Sequence, residues 1–481
     1  MNYRAISYTV GRILQLEAAL FVIPMIVSII YHESSSVIAF LISSAIALAA
    51  GLLLTYILGK NDKLIFAKEG FAIVAIAWIC LSVVGALPFL ISGQIESFAD
   101  AFFETVSGFT TTGASILDNV GALSKGMLFW RSLTHWLGGM GVLVFIMAIF
   151  PQDTGRNIHI MRAEMPGPIV GKLVPRIKDT AKILYLIYIV MTAIEVLFLL
   201  AGGMTLYESL LHSFGTAGTG GFGIKVDSLS SYSSYLQWVI TIFMLIFGIN
   251  FNLYYLILIR QFKSVVKSTE LWTYLAIVAF SGVVITINIL PLYSGLGEAV
   301  KHAFFQVASI ITTTGYSTAD FNLWPSASKA VLLILMFIGG CAGSTSGGIK
   351  VSRYIIAVKA IFRDIKHMIH PSAISSVKFE GKKIDDKTRH GVSTYFAVYF
   401  MIFWVIFFFI SFEPFNFETN FSAVATCLNN VGPGFGMVGP AASFAGYSVP
   451  AKILLSFAML LGRLEIFPIL MMLVPSFWKR K

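Results

Sequence analysis

Long apolar runs recur along this chain of 481 residues, and no other feature restricts its fold as strongly. An α-helix needs about 20 apolar residues to cross a ~30 Å hydrocarbon core, and many of these runs reach that length. Only 12% of the residues are charged and the mean hydropathy is +0.82. In lipid every backbone polar group must bond within the protein, and a helix does this within one segment. The sequence therefore predicts an all-α, polytopic membrane protein with about ten transmembrane helices.

The predicted spans differ in how continuous they are. They lie near 10–30, 37–58, 71–91, 128–150, 183–201, 236–259, 271–290, 330–361 with an interruption, 395–410 and 453–473. The first run carries Arg12 and Glu17, has no small-residue cleavage site and is longer than a signal peptide's apolar region, so we expect it to be retained. The three cysteines are widely spaced and predict neither a disulfide framework nor a zinc site.

Basic residues divide the loops into two groups. Most of the 34 Lys and Arg residues lie at the two termini and in alternate loops, with a dense cluster between Lys350 and His390. Cytoplasmic loops are the ones enriched in Lys and Arg, so we expect both termini to be cytoplasmic. The opposite segments hold more acids than bases, which predicts a negative outer vestibule that concentrates cations. This topology accounts for the net charge of +10 without nucleic acid. The Lys350–His390 cluster could also dock an acidic cytosolic regulator or anionic membrane lipid.

Four outer segments share one pattern, a short amphipathic stretch followed by a polar loop centred on glycine. They read IESFADAFFETVSGFTTTGAS, TLYESLLHSFGTAGTGGFG, LGEAVKHAFFQVASIITTTGYS and NFETNFSAVATCLNNVGPGFG. Each lies between two full spans, so a unit of span, half-helix, loop and span occurs four times. A half-helix of about 12 residues is ~18 Å long and cannot cross the bilayer. Non-helical backbone at membrane depth requires protein or water around it, and four loops around one axis would meet this requirement by forming a pore.

The composition of these loops predicts a cation pathway. Backbone carbonyls and threonine hydroxyls can replace a cation's hydration shell, and glycine permits the backbone turn that this needs. The C-terminal ends of the half-helices would direct partial negative charge at the same region. Aligned with one another, the central glycines are Gly113, Gly220, Gly315 and Gly432. The predicted cation-binding filter residues are Thr111, Thr112, Gly113, Thr219, Gly220, Thr313, Thr314, Gly315, Asn430, Val431 and Gly432. A single TTTG could instead be the C-cap of an interfacial helix, an alternative that four matched copies disfavour.

A run of small residues interrupts the second span of the third unit. Only Ala330 to Ile338 is continuously apolar, which gives ~13 Å of helix and places the run near the membrane midplane. We expect an irregular loop that lines the cavity below the filter and acts as a gate. The predicted gate residues are Gly339, Gly340, Gly343, Ser344, Thr345, Ser346, Gly347, Gly348 and Arg463. Two alternatives are a small-residue helix-packing face and a phosphate loop in GSTSGGIK, whose lysine is displaced by one residue and follows no predicted strand.

Arg463 is the most conspicuous charge in an apolar run. A central arginine costs about 2.5 to 3.5 kcal/mol on insertion scales, so we expect it to face a cavity or a partner. The alternatives are an ion pair with Glu195 or Glu465, or contacts with backbone carbonyls. His135, His212 and His302 have no partner at metal-ligand spacing, and we expect them to be packed or hydrogen-bonded.

The loop motifs SGFTTTGAS, TTTGYST and LNNVGPGFG resemble the first, third and fourth filter loops of TrkH-type bacterial members of the Trk/Ktr/HKT potassium transporter superfamily. The resemblance covers nearly the whole chain. It implies a channel-like pore of four unequal membrane–pore–membrane repeats and an N-terminal helix pair, in the bacterial cytoplasmic (inner) membrane. It also implies a homodimer that works with a cytosolic nucleotide-binding regulatory subunit of the TrkA type, an intramembrane gate loop, and an arginine below the filter at Arg463. In plant relatives a serine in place of the first-loop glycine goes with sodium transport, and this chain has Gly113.

We therefore expect a potassium-uptake protein that is not an enzyme, with K⁺ as the transported ion and no organic cofactor. The predicted units are 1–68 for the helix pair, 69–150, 151–265 and 266–365 for repeats 1 to 3, and 366–481 for repeat 4, the second and fourth with cytoplasmic links. One alternative is a Na⁺ or mixed K⁺/Na⁺ transporter. Another is a membrane enzyme that binds a phosphorylated substrate through GSTSGGIK, although the chain lacks clustered acid, base or nucleophile residues.

Overall fold

The described part of the chain is mostly helical. The computed structural model describes residues 1–58, 67–141, 177–372 and 376–478. The described α-helices are α1 (Tyr3–Leu20), α2 (Val22–Ile30), α3 (Ser34–Leu58), α4 (Ala67–Gly85), α5 (Leu87–Ile91), α6 (Phe98–Phe109), α7 (Lys125–Gly139), α8 (Ile177–Ala201), α9 (Leu206–Gly218), α10 (Ser234–Phe247), α11 (Phe251–Leu258), α12 (Phe262–Val266), α13 (Thr269–Ile289), α14 (Leu296–Ile311), α15 (Ser326–Phe337), α16 (Val351–Ile369), α17 (Asp386–Ile410), α18 (Phe417–Asn429), α19 (Val449–Arg463), α20 (Phe467–Leu473) and α21 (Pro475–Trp478). One antiparallel hairpin joins β1 (Lys378–Phe379) to β2 (Lys382–Lys383).

Six described segments are long and apolar enough to cross a membrane. They are Tyr3–Ile30, Ser34–Tyr56, Lys68–Ile91, Ala181–Ala201, Thr269–Leu292 and Asp386–Ile410. A seventh, Ser234–Phe247 with Phe251–Leu258, qualifies only as a pair bent by 90°. Together with the shorter helices between them, these segments confirm the predicted all-α, multi-pass membrane protein. The predicted span at 128–150 lies partly outside the described residues.

The N-terminal helices form a closely packed pair. Helix α1 packs against α3 and α4. Gly11 and Gly51 lie at the crossing of α1 and α3, where a methyl group added at Gly11 would be 2.8 Å from the carbonyl oxygen of Gly51. Small residues allow two helix backbones to approach closely within a membrane.

The remaining chain repeats one unit four times. Each unit has an outer helix (α4, α8, α13 and α17), a half-helix (α6, α9, α14 and α18) and an inner helix (α7, α10, α15 and α19), numbered here 1 to 4. The half-helices contain 12 to 16 residues, too few to span the bilayer. Each half-helix packs against the outer and inner helices of its own unit and against the inner helix of the preceding unit. Inner helix 4 packs against half-helix 1, so the four units close into a ring around one axis.

All four inner helices end after 12 to 15 residues. The sequence predicted only the third break, and the continuous spans expected at 236–259 and 453–473 are wrong. At each of the two breaks that the sequence did not predict, in inner helices 2 and 4, a glycine packs against a neighbouring loop or half-helix. A methyl group at Gly248 would lie 2.8 Å from Cγ2 of Thr312, and one at Gly462 would lie 2.1 Å from the carbonyl oxygen of Leu428. The inner helices therefore end where they meet the polar loops.

Acidic residues at the outer side stabilise helix ends and ion pairs. The first turns of the half-helices contain Asp100, Glu208, Glu298 and Glu418, where a negative charge interacts favourably with the helix dipole. Asp100 lies 2.6 Å from Lys452, and Glu418 lies 2.8 Å from Lys329. These acids have structural partners instead of simply lining a vestibule.

Candidate ion pathway and gate

The four half-helices end in the same backbone conformation. Each half-helix is followed, within two residues of its end, by a residue with positive φ. These residues are Thr111 (55°), Thr219 (54°), Thr313 (57°) and Asn430 (55°). Two residues later each loop has a glycine of positive φ, namely Gly113, Gly221, Gly315 and Gly432. Left-handed backbone at a residue other than glycine costs about 1 to 3 kcal/mol and persists only where the surroundings hold it. Four such residues at matched positions indicate a shared constraint.

A common hydrogen bond holds this conformation. In each loop the N–H after the left-handed residue donates to the carbonyl five residues earlier. The bonds are Thr112 to Ser107 (2.9 Å), Gly220 to Gly215 (2.8 Å), Thr314 to Ser309 (2.8 Å) and Val431 to Thr426 (2.9 Å). This is the six-to-one bond of a Schellman cap. The C-cap alternative thus describes the local geometry correctly, and the cap is the means by which each helix turns into its loop.

The structure changes the alignment of the second loop. Gly221, with φ of 74°, is the counterpart of Gly113, Gly315 and Gly432, so the predicted alignment on Gly220 is one residue too early. Gly220 instead occupies the position of Thr112, Thr314 and Val431. Its carbonyl remains part of the loop array described below, and Thr219 is the counterpart of Thr111.

The four loops contact one another in a closed ring, in which each glycine lies against a carbonyl oxygen of the next loop. A methyl group added at each left-handed glycine would strike the carbonyl of the next loop. The distances from the added Cβ to the carbonyl oxygen are 2.0 Å for Gly113 and Gly220, 1.8 Å for Gly221 and Thr314, 2.4 Å for Gly315 and Val431, and 2.7 Å for Gly432 and Thr112. Each loop therefore contributes one glycine and one carbonyl to the ring. Oxygens arranged in this way can coordinate a dehydrated cation.

A cavity of about 210 Å³ lies on the outer side of this ring. Its lining includes the four glycines at positions 113, 221, 315 and 432. Asp118 is the acid in the lining, which also contains Arg131 and Lys225. The charged residues of this lining are therefore not the excess of acids that the sequence predicted for a negative outer vestibule. The reason is that most outer acids cap helices or pair with bases.

The inner side of the ring faces the predicted gate residues. The hydroxyl oxygen of Thr111 accepts a hydrogen bond from Arg463 Nη1 at 3.2 Å. The hydroxyl oxygen of Thr313 accepts one from the N–H of Gly347 at 2.6 Å. A methyl group at Gly347 would also lie 2.9 Å from Cβ of Asn430. The loops therefore separate an outer cavity from the Gly339–Gly348 segment.

Gly339–Gly348 is an irregular loop between α15 and α16. Its two ends are held together, since the N–H of Gly339 donates to Ile349 O at 3.0 Å and that of Val351 to Gly340 O at 3.2 Å. The loop is largely buried. It also contacts the break in inner helix 2, where the N–H of Cys341 donates to Gly248 O at 2.9 Å. The segment is not helical, so it does not form the alternative helix-packing face.

Arg463 connects three parts of the site. Its Nη1 lies 3.2 Å from Thr111 Oγ1 and 3.0 Å from the carbonyl oxygen of Thr345. Its Nη2 donates to the carbonyls of Gly138 and Gly139, the latter at 2.7 Å. The guanidinium thus bridges loop 1, the gate loop and the end of inner helix 1. These contacts correspond to the carbonyl alternative, and they also place Arg463 directly below the ring.

Glu465 has a different partner from the one considered in the sequence. Its carboxylate pairs with Arg353 at 3.2 and 2.5 Å, and Arg353 lies over the ring of Tyr395 at 3.8 Å. Glu465 and Ile466 both have positive φ, at 53° and 68°. The ion pair therefore joins the start of α16 to a strained break in the last transmembrane segment.

Two further charged residues contact the predicted gate loop: Glu270, which the sequence did not single out, and Lys350, which it considered only as the lysine of a phosphate loop and as part of a basic cluster. Glu270 Oε1 accepts the N–H groups of Ala342 at 2.8 Å and Ser352 at 3.1 Å. Lys350 Nζ donates to the carbonyls of Ser346 and Gly347. A charge beside an apolar run was the available signal, as it was for Arg463.

The three histidines have hydrogen-bond partners. His135 Nδ1 lies 2.8 Å from Gly108 O, His212 Nε2 lies 3.3 Å from the Tyr232 hydroxyl, and His302 Nδ1 lies 2.9 Å from the Thr318 hydroxyl. Within the described residues, no three His, Cys, Asp or Glu side chains form a group that could hold a metal ion.

Comparisons with known proteins agree with this architecture. Residues 36–480 match the TrkH family model, described as a cation transport protein. The chain is 37% identical over 486 positions to the Trk system potassium uptake protein TrkH of Escherichia coli K12, covering 100% of both chains. It is 33% identical to TrkG of the same organism, with 99% of each covered. The crystal structure of the potassium transporter TrkH from Vibrio parahaemolyticus superposes with a TM-score of 0.90 at 32% identity over 100% of both chains. The chain belongs to the TrkH family.

Proposed function

We propose that this chain takes up potassium through the axis of its four repeats. The observation that carries the proposal is the closed ring of loop carbonyls between an outer cavity and a buried gate loop. Carbonyl rings of this kind replace the hydration shell of a permeating ion, and the half-helix ends direct partial negative charge at it. The names of the full-length relatives supply the identity of the ion.

The ion-binding positions are the loop residues predicted from the sequence, with Gly221 added. Thr112, Gly220, Thr314 and Val431 contribute the carbonyl oxygens that contact the neighbouring loops. Thr111 and Thr313 bind gate-side groups through their hydroxyls. K⁺ would therefore pass from the glycine-lined cavity through the oxygen ring toward Thr111 and Thr313.

The gate consists of Gly339–Gly348 and Arg463. The loop contacts the inner side of the ring, and the guanidinium holds the loop through Thr345. A fixed positive charge at this place raises the electrostatic barrier to a cation. Opening requires both groups to leave the axis.

A cytosolic partner can act on this gate through the β-hairpin. Glu380, in the turn of the hairpin, accepts hydrogen bonds from the Ser268 hydroxyl at 3.2 Å and the Glu270 N–H at 3.0 Å. Glu270 in turn binds Ala342 in the gate loop. A subunit that moves the hairpin would thereby bias the loop by differential binding.

The proposed assembly rests on the resemblance to the TrkH type and on the charge pattern. We assign to the chain a homodimeric state, a cytosolic nucleotide-binding subunit of the TrkA type and a bacterial inner-membrane location with cytoplasmic termini. The positive-inside rule supports the orientation. The exposed basic residues of the hairpin and of α16, including Lys359, Lys382 and Lys383, offer a surface for an acidic regulator or anionic lipid.

The alternatives differ in what the purified chain binds and conducts. Isotopic Rb⁺, K⁺ and Na⁺ uptake into proteoliposomes, with and without the regulatory subunit, tests conduction. Rapid K⁺ and Rb⁺ uptake with little Na⁺ uptake is the expected result, whereas equal Na⁺ uptake favours the mixed transporter. Nucleotide binding to the chain alone would favour the enzyme, but Lys350 already binds carbonyls of its own loop.

A further inference from the structure

Arg131 and Glu104 form a buried ion pair behind the first two filter loops. Arg131 is on inner helix 1 and Glu104 on half-helix 1, and Arg131 Nε lies 2.5 Å from Glu104 Oε1. Their side chains are only 3% and 1% exposed. A desolvated pair of this kind is strongly destabilised when one partner is removed, because the other charge stays buried.

Glu104 holds the outer part of loop 1. Its Oε2 accepts the N–H of Ile116 at 3.0 Å, and both carboxylate oxygens lie within 3.1 Å of the Ser115 hydroxyl. Ser115 and Ile116 follow Gly113 by two and three residues. The carboxylate therefore fixes the segment through which loop 1 leaves the oxygen ring.

Arg131 holds the corresponding part of loop 2. Its Nη1 donates to Gly223 O at 3.0 Å, and its guanidinium carbon lies 3.4 Å from the ring centre of Phe222. Phe222 and Gly223 directly follow Gly221. The Arg131 guanidinium therefore binds two groups at once: the Glu104 carboxylate, which holds loop 1, and the backbone of loop 2.

His135, one turn further along inner helix 1, supports the same wall. Its ring lies 4.1 Å from that of Phe222, and its Nδ1 bonds to Gly108 O. A methyl group at Gly220 would lie 2.3 Å from His135 Nδ1. Backbone shifts of loop 2 away from the axis are therefore blocked by this ring.

Other neighbouring units are joined by hydrogen bonds between their loop segments, among them the bond from the Ser443 hydroxyl to the Asp118 carboxylate between units 4 and 1. The ion pairs Lys329–Glu418 and Lys452–Asp100 also join units 3 to 4 and 4 to 1, but through helices instead of loops. Leu229 N–H donates to Ser317 O at 3.0 Å between units 2 and 3. Asn322 Oδ1 accepts the N–H of Gly436 at 3.0 Å between units 3 and 4. Between loops 1 and 2 the connection is ionic, directional and dry.

We propose that Arg131 and Glu104 are positioning residues for ion selection, setting the distance between the Gly113 and Gly220 positions of the oxygen ring. The inference rests on the proposed filter function. The guanidinium donates from Nε to Glu104 and from Nη1 to Gly223 at the same time. A lysine ammonium cannot reproduce this fixed, planar arrangement of donors. The charge alone is therefore insufficient, and the geometry of the fork determines how closely loops 1 and 2 approach.

The test compares Arg131→Lys with Lys452→Met. Lys452 pairs with Asp100 on the same half-helix, one turn before Glu104, but joins it to inner helix 4. The readout is the ratio of Rb⁺ to Na⁺ flux in proteoliposomes, measured on protein that elutes as the native species. Arg131→Lys should lower the ratio roughly tenfold, the factor carried by one lost hydrogen bond to a charged group. Lys452→Met should keep the wild-type ratio even where total flux falls.

A folded Arg131→Lys protein with the wild-type ratio would overturn the inference, and so would an equal decrease in Lys452→Met. Where Arg131→Lys does not fold, Phe222→Leu removes the stacked ring and keeps both charges, and it should lower the ratio in the same direction. Wild-type selectivity in Phe222→Leu then counts against the inference. Gly113→Ser is the reference variant for the filter itself. If it alters the ratio of Rb⁺ to Na⁺ flux and the Arg131 and Phe222 variants do not, the proposed filter is supported and the positioning role is refuted. If none alters it, both fail.

Discussion

Replacement of Gly113 by serine tests the oxygen ring most directly. Gly113 has φ of +78°, and a Cβ at this position would lie 2.0 Å from the carbonyl oxygen of Gly220. Serine therefore introduces two perturbations. One is a strained backbone, and the other is a collision with one of the proposed ion-binding oxygens.

The structure gives the size of each perturbation. Real Cβ atoms essentially never come within 3.0 Å of another heavy atom, so loops 1 and 2 must separate by about 1 Å. The backbone strain adds about 1 to 3 kcal/mol. A misplacement of ~1 Å can lower an enzyme's rate by about a hundredfold, and we take the same scale as the upper bound for a displaced ion-coordinating oxygen. We therefore expect a wider ring and a ratio of Rb⁺ to Na⁺ flux lowered by roughly ten- to a hundredfold.

Gly93→Ser is the matched control. Gly93 has nearly the same backbone conformation, with φ of +70°, but nothing lies within 4 Å of its added Cβ. It carries the backbone strain without the collision, so its flux ratio should remain that of the wild type. Gly432→Ser should have a smaller effect than Gly113→Ser, because its Cβ would lie 2.7 Å from Thr112 O.

Flux of Rb⁺ and Na⁺ is measured in proteoliposomes that contain equal amounts of each folded variant. An unchanged ratio in Gly113→Ser would refute the filter assignment. If Gly93→Ser lowers the flux ratio by the same factor, backbone strain explains the effect, and the collision within the ring does not.

Three other perturbations act on the gate and its supports. Arg463→Ala should raise cation flux with native elution, because it removes a fixed positive charge and its bonds to Thr345 and Thr111; a variant that only loses folding would make Arg463 a structural residue. Deletion of 343–347 should give flux that does not depend on the regulatory subunit, and normal regulated flux in a folded deletion variant would contradict the gate. Arg353→Met should lower the free energy of unfolding by about 3 kcal/mol, because it leaves the Glu465 carboxylate unpaired. If the unpaired charge is the cause, the double variant Arg353→Met/Glu465→Gln should regain most of this stability, which thermal unfolding measures.

The repeated pattern of the sequence was sufficient to predict the half-helices. Periodicity, short length and a following glycine are local properties, and four copies reinforce one another. The register of the second loop was not predictable in the same way, because TAGTGGFG offers Gly218, Gly220 and Gly221 as candidates. The structure selects Gly221 through its two-residue distance from the left-handed Thr219.

The breaks in the inner helices had a signal that hydropathy does not detect. Gly138, Gly248, Gly339 and Gly462 each follow 12 to 14 residues of inner helix, in a run that otherwise reads as a continuous span. Within a membrane, glycine is also common in unbroken helices where they pack closely. The glycines mark a break only because the ring of loops lies beside them.

Ion pairs between distant segments depend on closure of the ring. Glu104 and Arg131 are 27 residues apart, and Arg353 and Glu465 are 112 apart. A charge in an apolar run predicts that a partner exists, but the partner's identity follows from which helices become neighbours. For Arg463 the sequence left carboxylates and backbone carbonyls open as partners, and the folded chain supplies the carbonyl oxygens at the end of inner helix 1.

The bonds of the gate loop place its opening within the range of a binding partner. Apart from bonds within the gate loop and those from Lys350, four hydrogen bonds join residues 343–347, the segment deleted above, to the rest of the protein. They are Phe251 N–H to Gly343 O, Thr345 hydroxyl to Phe247 O, Arg463 to Thr345 O, and Gly347 N–H to Thr313 hydroxyl. At a net value of about 0.5 to 1.5 kcal/mol each, their loss amounts to roughly 2 to 6 kcal/mol. A ligand that prefers one state by about 5.5 kcal/mol inverts a 1:99 equilibrium. If the proposed gate is held this strongly, it should remain closed alone, and a regulatory subunit that acts through Glu380 and Glu270 would have to prefer the open state by a free energy of about this size.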